Sequence, residues 1–148
     1  MINSKSRIQF SFLIPCKLQD RGRLKAFIRL KFKKEKKALG LLQIVFCDDN
    51  YLLHLNRIFL QHDYYTDILS FLLSGSKEAL SAEIYISVDR VKDNAKNLET
   101  SFREELHRVI FHGMLHFFGY RDKTTGEIRK MREMEDKYLK GYFNELKK

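Results

Sequence analysis

Residues 112–122 read HGMLHFFGYRD. Two histidines four apart on a helix project from one face and can grip a single ion through their ring nitrogens. Gly119 falls where a helix end takes a left-handed turn, and that reversal can bring Asp122 back over the same face as a third ligand. Two nitrogens and a carboxylate oxygen, with a fourth position open, have the make-up of a catalytic zinc site; another divalent transition metal would also suit it. His112, His116 and Asp122 are therefore the expected metal ligands and, through an ion-bound water, the expected catalytic residues.

An ion held in this way polarises a phosphoryl oxygen and brings hydroxide within reach near neutral pH. Peptide hydrolysis also needs a base beside the water, the task of the glutamate in HExxH. Gly113 stands at that position and can do neither acid nor base work. A phosphodiester has a better leaving group and an anionic oxygen suited to a metal, so the missing base counts less against it. Glu105, Arg108, His112 and His116 form one narrow polar stripe on a helix that is otherwise apolar from Val109 to Phe118. Such a stripe costs free energy unless water, a partner charge or a metal satisfies it. Arg108 is a candidate for orienting a ligand or binding phosphate, with a salt bridge to Glu105 as its structural alternative. His54, His62 and His107 have no such setting and read as surface or core residues.

Charge points to the same class of substrate. The chain carries a net +9, but residues 1–40 hold twelve Lys and Arg against only Asp20 and Glu35, a net of +10. The remainder holds sixteen against seventeen, a net of −1. Clustered Lys and Arg are what phosphate contacts require, so the concentration favours a polyanionic partner over an ordinary solvated face.

The elements that position these residues make a single domain over 1–148, long enough to bury a core. No apolar run approaches the roughly 20 residues of a membrane span. FSFLIPC, behind Lys5 and Arg7, is too short for a signal peptide and reads as part of a first strand. Cys16 and Cys47 are too few for a disulfide framework, which suits reduced thiols in a cytoplasmic protein. Strands are expected at 7–14, 41–47, 67–73 and 82–88, with a turn at SGSKE between the last two. Helices are expected from Asp20 to about Leu39 with Gly40 as its stop, at 48–60, at 89–98 and at 102–118. A final helix opens with the capping box Thr124–Glu127 and carries Ile128, Met131, Tyr138, Tyr142 and Leu146 along one face. The alternation predicts an α+β domain: about four strands in one mixed sheet, packed with about five helices, and a metal site at the end of a buried helix.

HGMLHFFGYRD resembles the signature HGxLHLxGYDH of the YbeY family of bacterial metal-dependent endoribonucleases, matching at His112, Gly113, Leu115, His116, Gly119 and Tyr120. LNRIFLQHDYYTDILSF (55–71) is similar to the family's Leu-Asn segment with its Thr-Asp and Leu-Ser-Phe strand, AEIYIS (82–87) stands at the third block, and Met131 and Glu135 also fit. The resemblance spans about residues 41–139. It implies a zinc-like ion, cleavage of single-stranded RNA, maturation of ribosomal RNA near the 3′ end of the small-subunit (16S) RNA, ribosome quality control, and the small ribosomal subunit as partner. Three positions depart from the pattern: Asp122 replaces a third histidine, Leu60 stands where the family has an arginine, and Ala82-Glu83 replaces Gly-Asp. Arg57, one helical turn before Leu60, is a candidate substitute for holding phosphate, with a solvated side chain as the alternative. Two other readings fit the same residues: a non-catalytic ribosome-assembly factor whose metal staples the turn at Gly119, and a metallohydrolase of small amides or peptides.

Overall fold

The computed structural model describes residues 6–74 and 79–146; the turn expected at SGSKE lies largely outside them. The chain runs β1 (Arg7–Phe12), α1 (Arg21–Lys34), β2 (Leu39–Cys47), α2 (Asp49–Leu60), β3 (Ile68–Ser74), β4 (Leu80–Ser87), α3 (Val88–Asn97), α4 (Phe102–Phe117) and α5 (Thr125–Leu146). Among the described residues, four strands form one sheet in the order β1-β2-β4-β3, accompanied by five helices, of which α5 lies on α4, the expected α+β class. β1 and β4 are both parallel to β2, whereas β3 is antiparallel to β4. Parallel pairing demands a crossover, which α1 supplies between β1 and β2.

Strand β2 is the apolar, β-branched run expected of an interior strand, with a neighbour on each side. Its alternate residues Leu42, Ile44 and Phe46 join Ala82, Ile84 and Ile86 of β4 in the main core, together with Leu24, Phe27, Ile28 and Phe32 of α1 and Ile110, Phe111, Met114 and Leu115 of α4. Each large side chain buried this way is worth about 1.5–3 kcal/mol, so α4 is held by its apolar surface rather than by its polar stripe. A smaller cluster on the opposite face joins Cys47 and Leu69 to Leu52 of α2. Both cysteines are free thiols, and burial, reinforced by Asp48, Asp89 and Asp49, pushes that of Cys47 up to about 12.

Gly113 has a packing role. A Cβ there would lie 2.9 Å from the Cδ1 atoms of both Ile68 and Ile84, so any larger residue must push those two side-chain ends aside where α4 meets β3 and β4. A glutamate at this position would enter the sheet interface and miss the polar stripe.

Three expectations need correction. Helix α1 stops at Lys34, not at Gly40. Lys36 takes the left-handed conformation (φ 57°), with Lys36 N–H donating to Lys33 O and Lys37 N–H to Phe32 O. Those two bonds close the helix as a glycine turn would, and Gly40 lies inside β2 with its Cα against Ala79 and Leu80. Ile128 lies 54% exposed beside the cleft described below, because the buried face of α5 begins only at Met131. The first strand ends at Phe12, two residues early. Among the described residues, no helix is long and apolar enough to cross a membrane.

Candidate metal centre

The site is built by the two ends of one reversal. Helix α4 starts at Ser101, whose Oγ accepts from Glu104 N–H at 3.0 Å, and ends in two bonds: Gly119 N–H to His116 O at 3.1 Å and Tyr120 N–H to Leu115 O at 3.0 Å. That pair defines a Schellman turn, and Gly119 supplies its left-handed residue with φ 97°. On the far side, the capping box closes as the sequence indicates: Thr124 Oγ1 accepts from Glu127 N–H at 3.1 Å, and Glu127 Oε1 accepts from the Thr124 and Lys123 N–H groups at 3.0 Å each. Asp122 sits on the short stretch pinned between these two motifs, so its return over α4 follows from backbone hydrogen bonding.

His112 Nε2 and His116 Nε2 stand 3.0 Å apart, and Asp122 Oδ2 is 3.2 Å from the first and 3.3 Å from the second. Ligands bonded to one tetrahedral zinc at about 2.0–2.1 Å are separated by roughly 3.3 Å, so the triangle has the right size for such an ion. Among the described residues, these three form the one group with metal-ligating spacing.

The hydrogen-bonding partners fix which nitrogen of each neutral imidazole carries the hydrogen. His116 Nδ1 lies 3.0 Å from the carbonyl oxygen of Tyr120, an acceptor only, so Nδ1 must bear the hydrogen. His112 Nδ1 lies 2.6 Å from Glu135 Oε2 and donates to it in the same way. With both imidazoles neutral, the two Nε2 atoms present lone pairs to each other and to a carboxylate oxygen. Three acceptors converging at about 3 Å repel one another unless a cation lies among them. The donor set fits a divalent ion by both size and chemistry.

Glu135 is held in turn. It is 5% exposed and receives Arg108 at 3.1 Å and Arg132 at 3.5 Å. Arg108 also pairs with Asp136 at 2.8 Å and lies 3.8 Å from Glu105. Burial pulls the His112 imidazole downward, but the bond and charge of Glu135, with Asp122 and Asp67, more than reverse it, so His112 lies above its ordinary value. A field that raises affinity for a proton raises it for any cation. Burial lifts the carboxyl of Glu105 and that of Asp67, which also lines the cleft and accepts from Asn94 Nδ2 at 3.1 Å.

These groups face a cleft of about 1140 Å³ between β3, α3, α4 and α5. Its wall carries four carboxylates (Asp67, Glu105, Asp122 and Glu135) and three cations (Arg108, Lys123 and Arg132), a formal charge of −1 that one dication reverses. His112, His116, Asp122 and Arg108 all lie on this wall. Arg57 is not part of it: its guanidinium pairs with Asp63 on the outer side of α2, whereas Leu60 does reach the cleft. The basic face of α1 also lies outside, although Phe32 meets Phe118 ring to ring at 4.8 Å and so sets the last turn of α1 against the end of α4.

Sequence reasoning singled out Glu135 without giving it a task, and assigned nothing to Asp67 or Asn94. A signal for Glu135 was present: it interrupts the apolar face Met131–Tyr138–Tyr142 of α5, and a charge on a buried face demands a partner. Asp67 and Asn94 carry no comparable pattern, since only the sheet topology brings them to the same cleft. His107 is a core residue, its Nδ1 donating to Arg103 O at 2.7 Å and its ring stacked on Tyr142.

Comparison with known proteins completes the picture. Residues 19–143 match the family model described as endoribonuclease YbeY. An endoribonuclease YbeY of Cytophaga hutchinsonii is 48% identical over 122 residues, covering 82% of this chain and 85% of that protein. The one from Flavobacterium psychrophilum is 39% identical over 133 residues, covering 90% and 94%. Among solved structures, TM1509 from Thermotoga maritima, determined in solution, superposes with a TM-score of 0.60 at 25% identity, covering 95% of this chain and 92% of that one. A match over 125 of the 148 residues, with the paired histidines and the turn behind them inside it, leaves one assignment: this chain belongs to the endoribonuclease YbeY family.

Proposed function

We propose that this protein is a metal-dependent endoribonuclease that hydrolyses phosphodiester bonds in single-stranded RNA. Its substrate is ribosomal RNA at the 3′ end of the 16S molecule, within the small subunit, in the cytoplasm, and the same activity serves ribosome quality control. The observation that carries the reading is the converging triangle of two imidazole lone pairs and one carboxylate oxygen in a cleft large enough for a nucleotide. Family membership supports RNA as the substrate class, and zinc is the ion that the nitrogen-nitrogen-oxygen set suits best.

When bound, a zinc-like ion supplies Lewis acidity toward a phosphoryl oxygen and lowers the pKa of water. His112 and His116 hold it through Nε2, and Asp122 through Oδ2. Glu135 keeps the His112 tautomer correct and its ring fixed, while Tyr120 O does the same for His116. Arg108 reads here as a positioning residue that orders Glu135, Asp136 and Glu105, because its charge is already engaged by carboxylates. Lys123 at the cleft wall can meet a phosphate oxygen, and the Asp67 carboxyl, lifted by burial, can hold or pass a proton at the leaving oxygen. The lysines closing α1 draw the polyanion toward this side of the molecule. Arg57 is left as a surface contact outside the cleft.

The test is cleavage of single-stranded RNA by wild type and by His116→Ala, each stripped with chelator and reloaded with zinc. Activity that appears only in zinc-loaded wild type supports the reading. RNA binding without metal-dependent cleavage in either protein removes the enzymatic role.

A further inference from the structure

Among the described residues, the stretch of cleft wall contributed by the connection between α2 and β3 carries no lysine or arginine. Leu60, His62 and Tyr64 reach the cleft there from the connection between α2 and β3, and Tyr64 is 56% exposed. The rings of His62 and Tyr64 are stacked, with centroids 5.1 Å apart and planes 20° from parallel, and Tyr64 Oη lies 2.9 Å from His62 Nδ1. Asn56 fixes the connection at both ends. Its carbonyl accepts from His62 N–H at 3.1 Å, and its side chain, 1% exposed, donates from Nδ2 to Tyr64 O at 2.9 Å. Gln61, immediately before His62, is held in the left-handed conformation with φ 56°. A buried amide and a strained residue thus present two stacked rings to solvent at the mouth of the catalytic cleft.

Exposed aromatic faces beside a phosphate-cleaving site are what an unpaired nucleobase needs: stacking is sequence-tolerant because every base has a π-face. We propose that His62 and Tyr64 form a base-stacking subsite that receives one unpaired base of the RNA close to the scissile phosphate. The inference rests on the RNA-cleaving reading above and adds the element that selects single strands. A base within a duplex is already stacked on both sides and cannot extend the His62–Tyr64 pile. Leu60 brings no charge to this rim, so its apolar side chain favours contact with a base over contact with a phosphate.

The experiment uses zinc-loaded protein and a short single-stranded RNA carrying a fluorescent purine analogue that stacking quenches, beside the same RNA with an abasic residue in its place. Wild type, Tyr64→Leu and Tyr64→Phe are compared for quenching, KM and kcat. Tyr64→Leu should lose the quenching and raise KM by about 5- to 150-fold, the worth of one base–aromatic stack, with kcat little changed. Tyr64→Phe should keep both, and the abasic RNA should make wild type and Tyr64→Leu alike. If wild type cleaves RNA while Tyr64→Leu quenches and binds as well as wild type, the subsite is refuted and the nuclease reading stands. If Tyr64→Leu loses affinity equally for the abasic RNA, the loop acts only structurally, and the subsite is again refuted. Absence of RNA binding by wild type would overturn both.

Discussion

Replacing Glu135 by Gln tests the support of the metal centre, because it removes one charge while preserving shape. The carboxylate receives His112 Nδ1 at 2.6 Å, which places it roughly 7 Å from a cation at the opposite ring nitrogen. A full negative charge at that range is worth about 2–5 kcal/mol toward a dication at effective dielectrics of about 40 to 20. Gln keeps an acceptor for the imidazole, so the tautomer survives and part of the effect is retained. Arg108 and Arg132 stay close by, however, and their charges then go partly uncompensated. The expected outcome is a 10- to 100-fold weaker zinc affinity, about 1.4–2.7 kcal/mol, the usual range for such supporting carboxylates. Competition against a chromophoric chelator measures it directly. Cleavage of RNA by Glu135→Gln should recover as free zinc is raised, which separates lost affinity from lost chemistry. Zinc affinity within twofold of wild type would refute the idea that the His112–Glu135 bond tunes the site.

Gly113→Glu, which restores the peptidase pattern, should cost more than about 3 kcal/mol by forcing a charge between Ile68 and Ile84, and should confer no peptidase activity. Thermal melting should show a fall of at least about 6 °C, and a variant as stable as wild type would show that α4 can lift from the sheet. His107 should make stability fall in acid. It is fully buried, and burial holds its imidazole below the ordinary 6.5, so the unfolded chain binds the extra proton first. Its contribution is complete above about pH 6.5 and is lost as pH drops toward the folded value, by up to about 1.4 kcal/mol per unit. Denaturant titrations from pH 7 to about 5 should give His107→Phe a flatter slope than wild type; parallel slopes would place the acid sensitivity elsewhere.

Much of the site could be read from local sequence because local rules build it. The His112–His116 spacing, the left-handed Gly119 and the Thr124–Glu127 box each act within a few residues, and together they return Asp122 to the histidines. The helix and strand types were legible for the same reason, since apolar periodicity follows from which face is buried. What stayed hidden depends on contacts distant in sequence. The order β1-β2-β4-β3 is set by the crossover through α1 and the pairing of β3 with β4, and only that order brings Asp67 and Asn94 beside α4. Gly113 invited a chemical question, and its answer is steric: the residue faces a sheet that the helix sequence does not mention. Lys36 ends α1 where glycine was expected further on, because two backbone bonds offset the cost of its left-handed conformation. The positive charge of the first quarter was plain, but its position outside the cleft needed the packing of Phe32 on Phe118.

Asp122 and the paired imidazoles are expected to share one ion. Metal content per chain, measured by mass spectrometry after dialysis against zinc, should be one equivalent for wild type. It should fall well below one for Asp122→Ala and for His116→Ala, with both variants still folded by circular dichroism. Equal, stoichiometric zinc in wild type and Asp122→Ala would contradict the shared site.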